Sequence, residues 1–311
     1  MNLQKNVPLR DLSNYKIGGR AAYFLDASNK KELIEGVKEF KKESPNGKIF
    51  ILGGATNILI CDEGFDGLVI HNNIKGIKRN GNDLTIGSME SMENVNQFAI
   101  ANALSGLEWS GGLPGSIGGA VRGNAGAFGG EIKDSVKQVE SLDLQTLEEK
   151  TRSANECEFS YRNSIFKKSA AQEFITYVTL TLVPSDQRKV QEETLNKIEY
   201  RKVKHPLEYP SAGSVFKNIS FETIPQNLQS EWQPFIKTDP FSVIPAAKII
   251  ALAGLAGIKV GDAMLSEKHT NFIVNLGNAK ATDVKKVIEI IKAKVKEKFG
   301  IDLEEEIMYL N

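Results

Sequence analysis

Cysteine is nearly missing from this sequence: Cys61 and Cys157 are all that 311 residues contain. They form neither a CxxC pair nor a disulfide framework, which fits a reducing cytoplasm. Histidine is scarce too. His71, His205 and His269 are scattered and no HExxH occurs, so no metal site is expected. Neither sign of charge is in excess, because 39 basic residues meet 39 acidic ones. No global field therefore recruits nucleic acid or an anionic membrane, although a local anion site stays open. No apolar run reaches the ~18 residues that suggest a membrane span, and MNLQKNVPLRDLSNYK lacks the apolar core of a signal peptide. No two glycines are separated by a single residue, so G-x-G-x-x-G cannot occur. G-x-x-x-x-G-K-[ST] and G-x-S-x-G are missing as well, which removes the Rossmann fingerprint, the P-loop and the nucleophile elbow.

What the chain does hold is glycine in one place. Ten of its 27 glycines fall between Gly106 and Glu131, in GLEWSGGLPGSIGGAVRGNAGAFGGE. Glycine loses more conformational freedom on folding than any other residue, so this density implies backbone shapes or approaches that a Cβ would block. Around it the pattern is α+β. Asn29 to Glu32 reads as a capping box opening a helix with the stripe Leu33, Val37, Phe40. KIFILGG, GLVIHN, DLTIGS and QVESLDLQT read as strands, as does FITYVTLTLVPS, with alternating polarity. ENVNQFAIANAL predicts a helix with Val95, Phe98 and Leu104 at helical spacing. KHPLEYPSAG, with two prolines and a glycine, predicts a linker. Beyond it come the helix IPAAKIIALAG, the strand NFIVNL and a last helix capped at Thr282. That helix buries Val284, Val287, Ile288, Ile291 and Val295 and stops at Gly300.

Two segments could cradle a diphosphate. Gly53, Gly54, Ala55, Thr56 and Asn57 follow the strand KIFIL directly, where backbone N–H groups and two polar side chains can face an anion. The second is GGLPGSIGG continued by NAGAFGG. Its expected contacts are Gly112, Pro114, Gly115, Ser116, Gly118, Gly119, Asn124 and Gly126. Two such loops in one half of a chain predict a long ligand with a pyrophosphate, a dinucleotide.

The series NYKIGGRAAYF, ILGGATNILICDEGFDGLVI, GLEWSGGLPGSIGGAVRGNAGAFGGEI, FSYRNSIF, YPSAGSVFKN, AGLAGIKVGDAMLSEKHTNFIVN and FGIDLEEEI resembles the UDP-N-acetylenolpyruvoylglucosamine reductase family. The matches run in order from about Asn14 to Ile307. The resemblance implies a two-part FAD-binding domain of vanillyl-alcohol-oxidase (PCMH) type, here residues 1–76 and 77–205. A C-terminal α+β substrate domain, 206–301, would follow, with a tail, 302–311, returning Glu306 to the active site. Arg162 and Ser214 are close enough in sequence to imply the shorter subclass, without an extra substrate-clamping loop.

The implied cofactors are non-covalent FAD and NADPH, and the implied substrate is UDP-N-acetylglucosamine-enolpyruvate. Hydride would pass from flavin N5 to the methylene carbon of the enol ether, giving UDP-N-acetylmuramate for peptidoglycan. Arg162 of FSYR would stabilise the developing negative charge through a bidentate, permanently charged guanidinium. Ser214 of SAGSVFKN would give the proton, and Glu306 of LEEEI would act protonated or with its charge held by Arg162 and a neighbour. Tyr161, Lys217, Asn218, His269 and Asn271 would line the substrate site. The expected form is a cytoplasmic monomer that binds small molecules and neither membrane nor nucleic acid. Departures from the family pattern are Arg20, Ala55, Thr56, the lack of proline after Asn218, and Met308. Two other readings stay open from the residues: another FAD-dependent oxidoreductase of the same superfamily, and a nucleotide-binding homologue without activity.

Overall fold

A computed structural model of the chain describes residues 3–168, 173–238 and 241–311. It divides into two compact units. The first comprises residues 1–7, 21–54 and 66–201, and the second 8–20, 55–65 and 202–311. The chain thus leaves the second unit twice, and the segment 55–65 clusters with residues far downstream.

The first unit holds two hydrophobic clusters. One is built on the helix Lys30–Glu43. Asn29 caps it, its side chain accepting the Glu32 N–H at 3.0 Å, and Leu33, Val37 and Phe40 are buried as their spacing predicts. The helix joins the strand Arg20–Ala27 to Lys48–Leu52, which pairs in parallel with Phe65–Asn72. The other cluster backs a five-stranded sheet in the order Glu149–Ser153, Val136–Asp143, Glu173–Thr181, Asp83–Gly87, Ile77–Asn80, antiparallel throughout. Glu173–Thr181 alternates in sequence yet is buried along nearly all its length, being the central strand. Its two inner threonines satisfy their hydroxyls inside the sheet: Thr176 donates to the Glu140 carbonyl at 3.2 Å, and Thr179 bonds Thr85 at 3.3 Å. The helix before the glycine-rich stretch spans Met92–Ala101 and is capped by Ser91. Leu104 lies beyond its end, in the two-residue strand Leu104–Ser105, because Asn102 closes the helix.

The second unit centres on an antiparallel sheet in the order Ser211–Ser214, Phe272–Asn275, Ala263–Leu265, Lys259–Val260. The helices Ala246–Leu252 and Ala281–Phe299 belong to the same cluster. Val284, Val287, Ile291 and Val295 are fully buried, each worth about 1.5–3 kcal/mol of transfer free energy. The last helix begins at Ala281, not at a Thr282 cap. Its first N–H groups are taken by Asp62, whose carboxylate accepts from Ala281 at 2.8 Å and Thr282 at 3.1 Å. A negative charge there also suits the helix dipole. The cap arrives from the returning segment 55–65, so no local sequence signal could reveal it. The same segment supplies Ile58–Ile60, which pairs in parallel with Met308–Leu310 at the chain's end.

Candidate functional site

In the first unit the two glycine loops meet. A Cβ on Gly54 would stand 3.1 Å from Gly115 Cα and 3.3 Å from Ser116 N, and one on Gly53 would stand 3.3 Å from Ser116 Oγ. The backbones are therefore in contact, as two loops lining one ligand require. Ser116 caps the short helix Ile117–Gly123, its hydroxyl accepting the Gly119 N–H at 3.3 Å. Not every glycine faces a ligand, however. Gly118 is pressed on Ser88, where a Cβ would come within 2.8 Å of Cβ and 2.9 Å of the carbonyl. A Cβ on Gly130 would clash with the Trp109 ring, and one on Gly111 would come within 2.5 Å of the Thr194 carbonyl. The protein's own packing thus claims part of the glycine density. Gly119 and Gly123 are different: a Cβ on Gly119 would meet only Ser116 Oγ, at 3.4 Å, and one on Gly123 nothing within 4 Å. Among the described residues, the Gly54 N–H donates no hydrogen bond to the protein. Gly112 packs on Arg201, whose buried guanidinium donates to the Gly111 carbonyl at 2.8 Å. An open, donor-bearing glycine surface resting on a rigid support fits a diphosphate.

Arg162 lies on the tip of a tight turn. Ser160 and Asn163 exchange backbone bonds of 3.1 and 3.0 Å around Tyr161 and Arg162. Arg162 itself has φ +54°, a left-handed conformation where glycine or asparagine is the ordinary choice. The turn is pinned from several sides. Asn124, fully buried and also left-handed at φ +43°, donates from Nδ2 to the Ser160 carbonyl at 3.0 Å. Ser164 donates to the Arg122 carbonyl at 2.7 Å, and Lys167 Nζ to the Arg162 carbonyl at 2.9 Å. The guanidinium donates from Nη2 to the Gly126 carbonyl at 2.8 Å and stands 5.1 Å from the Tyr161 ring centroid. Gly126 is placed so closely that a Cβ would meet Glu131 Cγ at 2.7 Å and Arg162 Nη1 at 3.4 Å. Asn124 and Gly126 therefore build the arginine turn, a role that sequence reasoning did not anticipate for them. Ser164 was missed, and only its position after FSYRN could have flagged it.

The second unit gathers Ser214, Lys217, Asn218, His269, Asn271 and Glu306, with Ala55, Thr56 and Asn57. Ser214 ends a strand whose register shifts after Ser211, and Gly213 in that bulge has φ +76°. Bulges of this kind re-aim the side chain that follows. The Ser214 hydroxyl is half-buried and, among the described residues, makes no hydrogen bond. The next three residues are held on both edges. On one side the Asn271 carbonyl accepts the Val215 N–H at 2.8 Å. The Asn271 side chain accepts from Phe216 N at 2.9 Å and donates to Phe216 O at 2.8 Å. On the other side, Glu306 N donates to Val215 O at 2.7 Å and Lys217 N to Glu304 O at 2.9 Å. Glu306 is thus brought from the end of the chain to the strand that carries Ser214.

The remaining polar groups have defined partners. The Lys217 ammonium is ion-paired with Glu304. Asn218 Oδ1 accepts the N–H of Ala246, the first residue of its helix, at 3.2 Å. His269 Nδ1 accepts from Asn271 N at 3.3 Å, which leaves its proton on Nε2. Its ring packs on His205 and Phe272 at 5.2 and 4.7 Å between centroids, and burial pushes its pKa down. Both polar atoms of the Asn271 side chain are used on Phe216, so Asn271 shapes the strand after Ser214 from behind. Glu305, unexpected between the two family glutamates, bonds Lys292 at 2.8 Å and receives the Tyr309 hydroxyl. These contacts lower its pKa against the burial that opposes them. No described helix is long and apolar enough to cross a membrane.

Comparison with known proteins finds a separate match for each half of the chain. Residues 205–310 match the C-terminal domain of UDP-N-acetylenolpyruvoylglucosamine reductase, and residues 21–150 an FAD binding domain. The enzyme of that name from Caldicellulosiruptor bescii is 36% identical over 307 residues, covering 98% of this chain and 90% of that protein. Its counterpart in Lactobacillus acidophilus is 35% identical, with 99% and 94% covered. The crystal structure of UDP-N-acetylenolpyruvylglucosamine reductase from Thermus caldophilus superposes with a TM-score of 0.77 at 28% identity, covering 100% of both chains. On these matches, spread over its whole length, the chain belongs to the UDP-N-acetylenolpyruvoylglucosamine reductase family.

Proposed function

We propose that this protein uses NADPH and FAD to reduce UDP-N-acetylglucosamine-enolpyruvate to UDP-N-acetylmuramate, a step of peptidoglycan precursor synthesis, as a cytoplasmic monomer. The observation that carries the reading is in the second unit. A serine hydroxyl that makes no hydrogen bond among the described residues ends one strand, and the residue after it accepts the N–H of Glu306. A serine is a poor acid, so it is useful only beside a strong base such as the carbanion left when an enol ether takes up hydride. Bound FAD would supply the two-electron chemistry between NADPH and the enolpyruvyl double bond. Its diphosphate would be held by Gly53, Gly54, Gly115, Ser116 and Gly119, where the Gly54 backbone meets Gly115 and Ser116 and a Cβ on Gly119 would meet only Ser116 Oγ. Arg162 would hold the substrate carboxylate with a permanent charge on a preset turn. Ser214 would hold the proton for the carbon beside that carboxylate. Glu306 would contact the same carboxylate, and Lys217, fixed by Glu304, would contact the sugar nucleotide. On this reading the chain divides into a two-part cofactor domain, 1–76 and 77–205, a substrate domain, 206–301, and the tail 302–311, although residues 8–20 and 55–65 cluster with the second unit.

The test is an anaerobic titration followed by visible absorption. NADPH should bleach the flavin band of the purified protein, and UDP-N-acetylglucosamine-enolpyruvate should restore it. Restoration by oxygen alone would make the protein a different flavin oxidoreductase. Absence of a flavin band after incubation of folded protein with FAD would remove the cofactor assignment.

A further inference from the structure

Resting on the reading above, we propose that Asn57 is a positioning residue for Glu306, its side chain and carbonyl acting through the backbone of the C-terminal tail. After the last helix ends at Gly300, the tail has little regular structure of its own until Met308–Leu310. The peptide units around Glu306 are gripped at three points. Glu306 N donates to Val215 O at 2.7 Å, Asn57 Nδ2 donates to Glu306 O at 3.2 Å, and Met308 N donates to Asn57 O at 3.0 Å. The side chain and main chain of Asn57 therefore straddle the buried Ile307, one bond on either side of it. The main-chain carbonyl is common to every residue, so what position 57 must add is a side-chain donor of this length. Asparagine has it, and aspartate of the same shape lacks it.

The same loop also reaches the strand of Ser214. Asn14 N donates to the Ala55 carbonyl at 3.1 Å, while Asn14 Nδ2 donates to the Ser211 carbonyl at 2.7 Å. Ala55 is fixed at φ +48°, so the loop is a defined hook, not a slack connection. Residues 55–57 are thus a common anchor: through Asn14 for the strand that ends in Ser214, and through Asn57 for the peptide that carries the Glu306 carboxylate. A proton donor and a carboxylate that serve neighbouring groups of one substrate must keep a fixed separation. A shared anchor provides that across two segments that are distant in sequence.

The test uses Asn57→Ala and the near-isosteric Asn57→Asp, which preserves packing if the alanine variant folds poorly. Hydrogen exchange of the protein without cofactor should show the amides of Glu306 and Met308 exchanging at least tenfold faster in both variants. In rapid mixing of the FAD-loaded enzyme, flavin reoxidation by the enolpyruvyl sugar should slow 10- to 100-fold. That loss should be at least tenfold larger than any loss in flavin reduction by NADPH, and its pH profile should move. Unchanged tail exchange would overturn the proposal, as would weakened FAD binding with both half-reactions falling together, the behaviour of a phosphate ligand. A wild-type enzyme inactive on the enolpyruvyl sugar would sink the function proposed above, while the exchange result would still decide whether Asn57 holds the tail.

Discussion

The two units solve the same problem differently. Each must point a polar side chain out of a tight backbone feature. In the first, Arg162 carries the left-handed conformation itself, at φ +54°; in the second, Gly213 takes it at φ +76° and leaves Ser214 in the strand. A left-handed non-glycine residue costs roughly 1–2 kcal/mol, which glycine avoids. The strain at Arg162 therefore sits on the one residue of its turn whose side chain the chemistry would require. Inward supports hold it there: Asn124 on Ser160, Ser164 on Arg122 and Lys167 on Arg162 itself.

Arg162→Gly breaks this comparison most sharply. Relief of strain is worth about 1 kcal/mol, and loss of the Nη2 bond to Gly126 costs about the same. The melting temperature should stay within a few degrees of wild type. Reoxidation of the reduced flavin by the enolpyruvyl sugar should fall about 10²–10³-fold, the usual result of removing a preset charge-stabilising donor. A large drop in melting temperature would mean that the arginine is chiefly structural. Gly213→Ala is the mirror experiment. Nothing lies within 4 Å of the added methyl, so its cost is conformational alone, about 1–2 kcal/mol. Melting should fall by several degrees, and reoxidation should slow because Ser214 is re-aimed. A variant that melts as wild type would show that the bulge tolerates an ordinary residue.

The glycine loops give the next largest effect. At Gly118 an added methyl would meet Ser88 at 2.8 Å, with backbone on the far side. Overpacking of this kind costs about 1–3 kcal/mol. Gly118→Ala should lower the stability of the first unit with or without FAD. At Gly119 the methyl has room and the position is helical, so Gly119→Ala should be neutral or up to about 1 kcal/mol stabilising in the protein without cofactor. It should nonetheless weaken FAD binding. Equal effects from the two substitutions, followed by denaturant unfolding and flavin titration, would mean that the glycine density serves packing alone.

This split also marks what the sequence could reveal. Capping by Asn29, the stripe Leu33, Val37, Phe40 and the stop at Gly300 are local patterns, and each was legible from a few adjacent letters. The glycine loops were legible as loops, yet composition could not separate Gly118, filled by Ser88, from Gly119, left open. The arrangement of the second unit was the least legible. Asp62 capping a helix that starts at Ala281, Asn14 holding Ser211 and Asn57 holding the tail all join segments far apart in sequence. Without the family motifs, Glu306 was one of three glutamates near the end of a chain. With them it was identified, but the residues that hold it were not.

The smallest expected effect tests the same contrast of local and distant pairing through pH. In the first unit, Asp143 pairs within one hairpin. Lys150 bonds it at 2.8 Å, and the amides of Gln145 and Thr146 add bonds of 2.8 and 3.1 Å. These hold its carboxyl at about 2, chiefly through the Lys150 hydrogen bond, against an ordinary value of 3.8. A carboxyl depressed in the folded state adds stability above its unfolded value and loses it as pH falls through the folded one. The window is therefore from about pH 4 down to about pH 2. Because the lysine partner is 34% exposed, solvent screening limits the contribution to about 1 kcal/mol. Asp143→Asn should be less stable than wild type by about that amount at pH 6, and the gap should close near pH 2. In the second unit Glu305, also held low, draws on Lys292 and on Tyr309 of the tail. Glu305→Gln should loosen the tail at neutral pH while leaving the hairpin's acid response intact. Urea unfolding of both variants at the two pH values, with tail exchange as a second readout, separates the cases. A wild-type gap that persists at pH 2 would mean that Asp143 acts through its turn geometry and not through its charge.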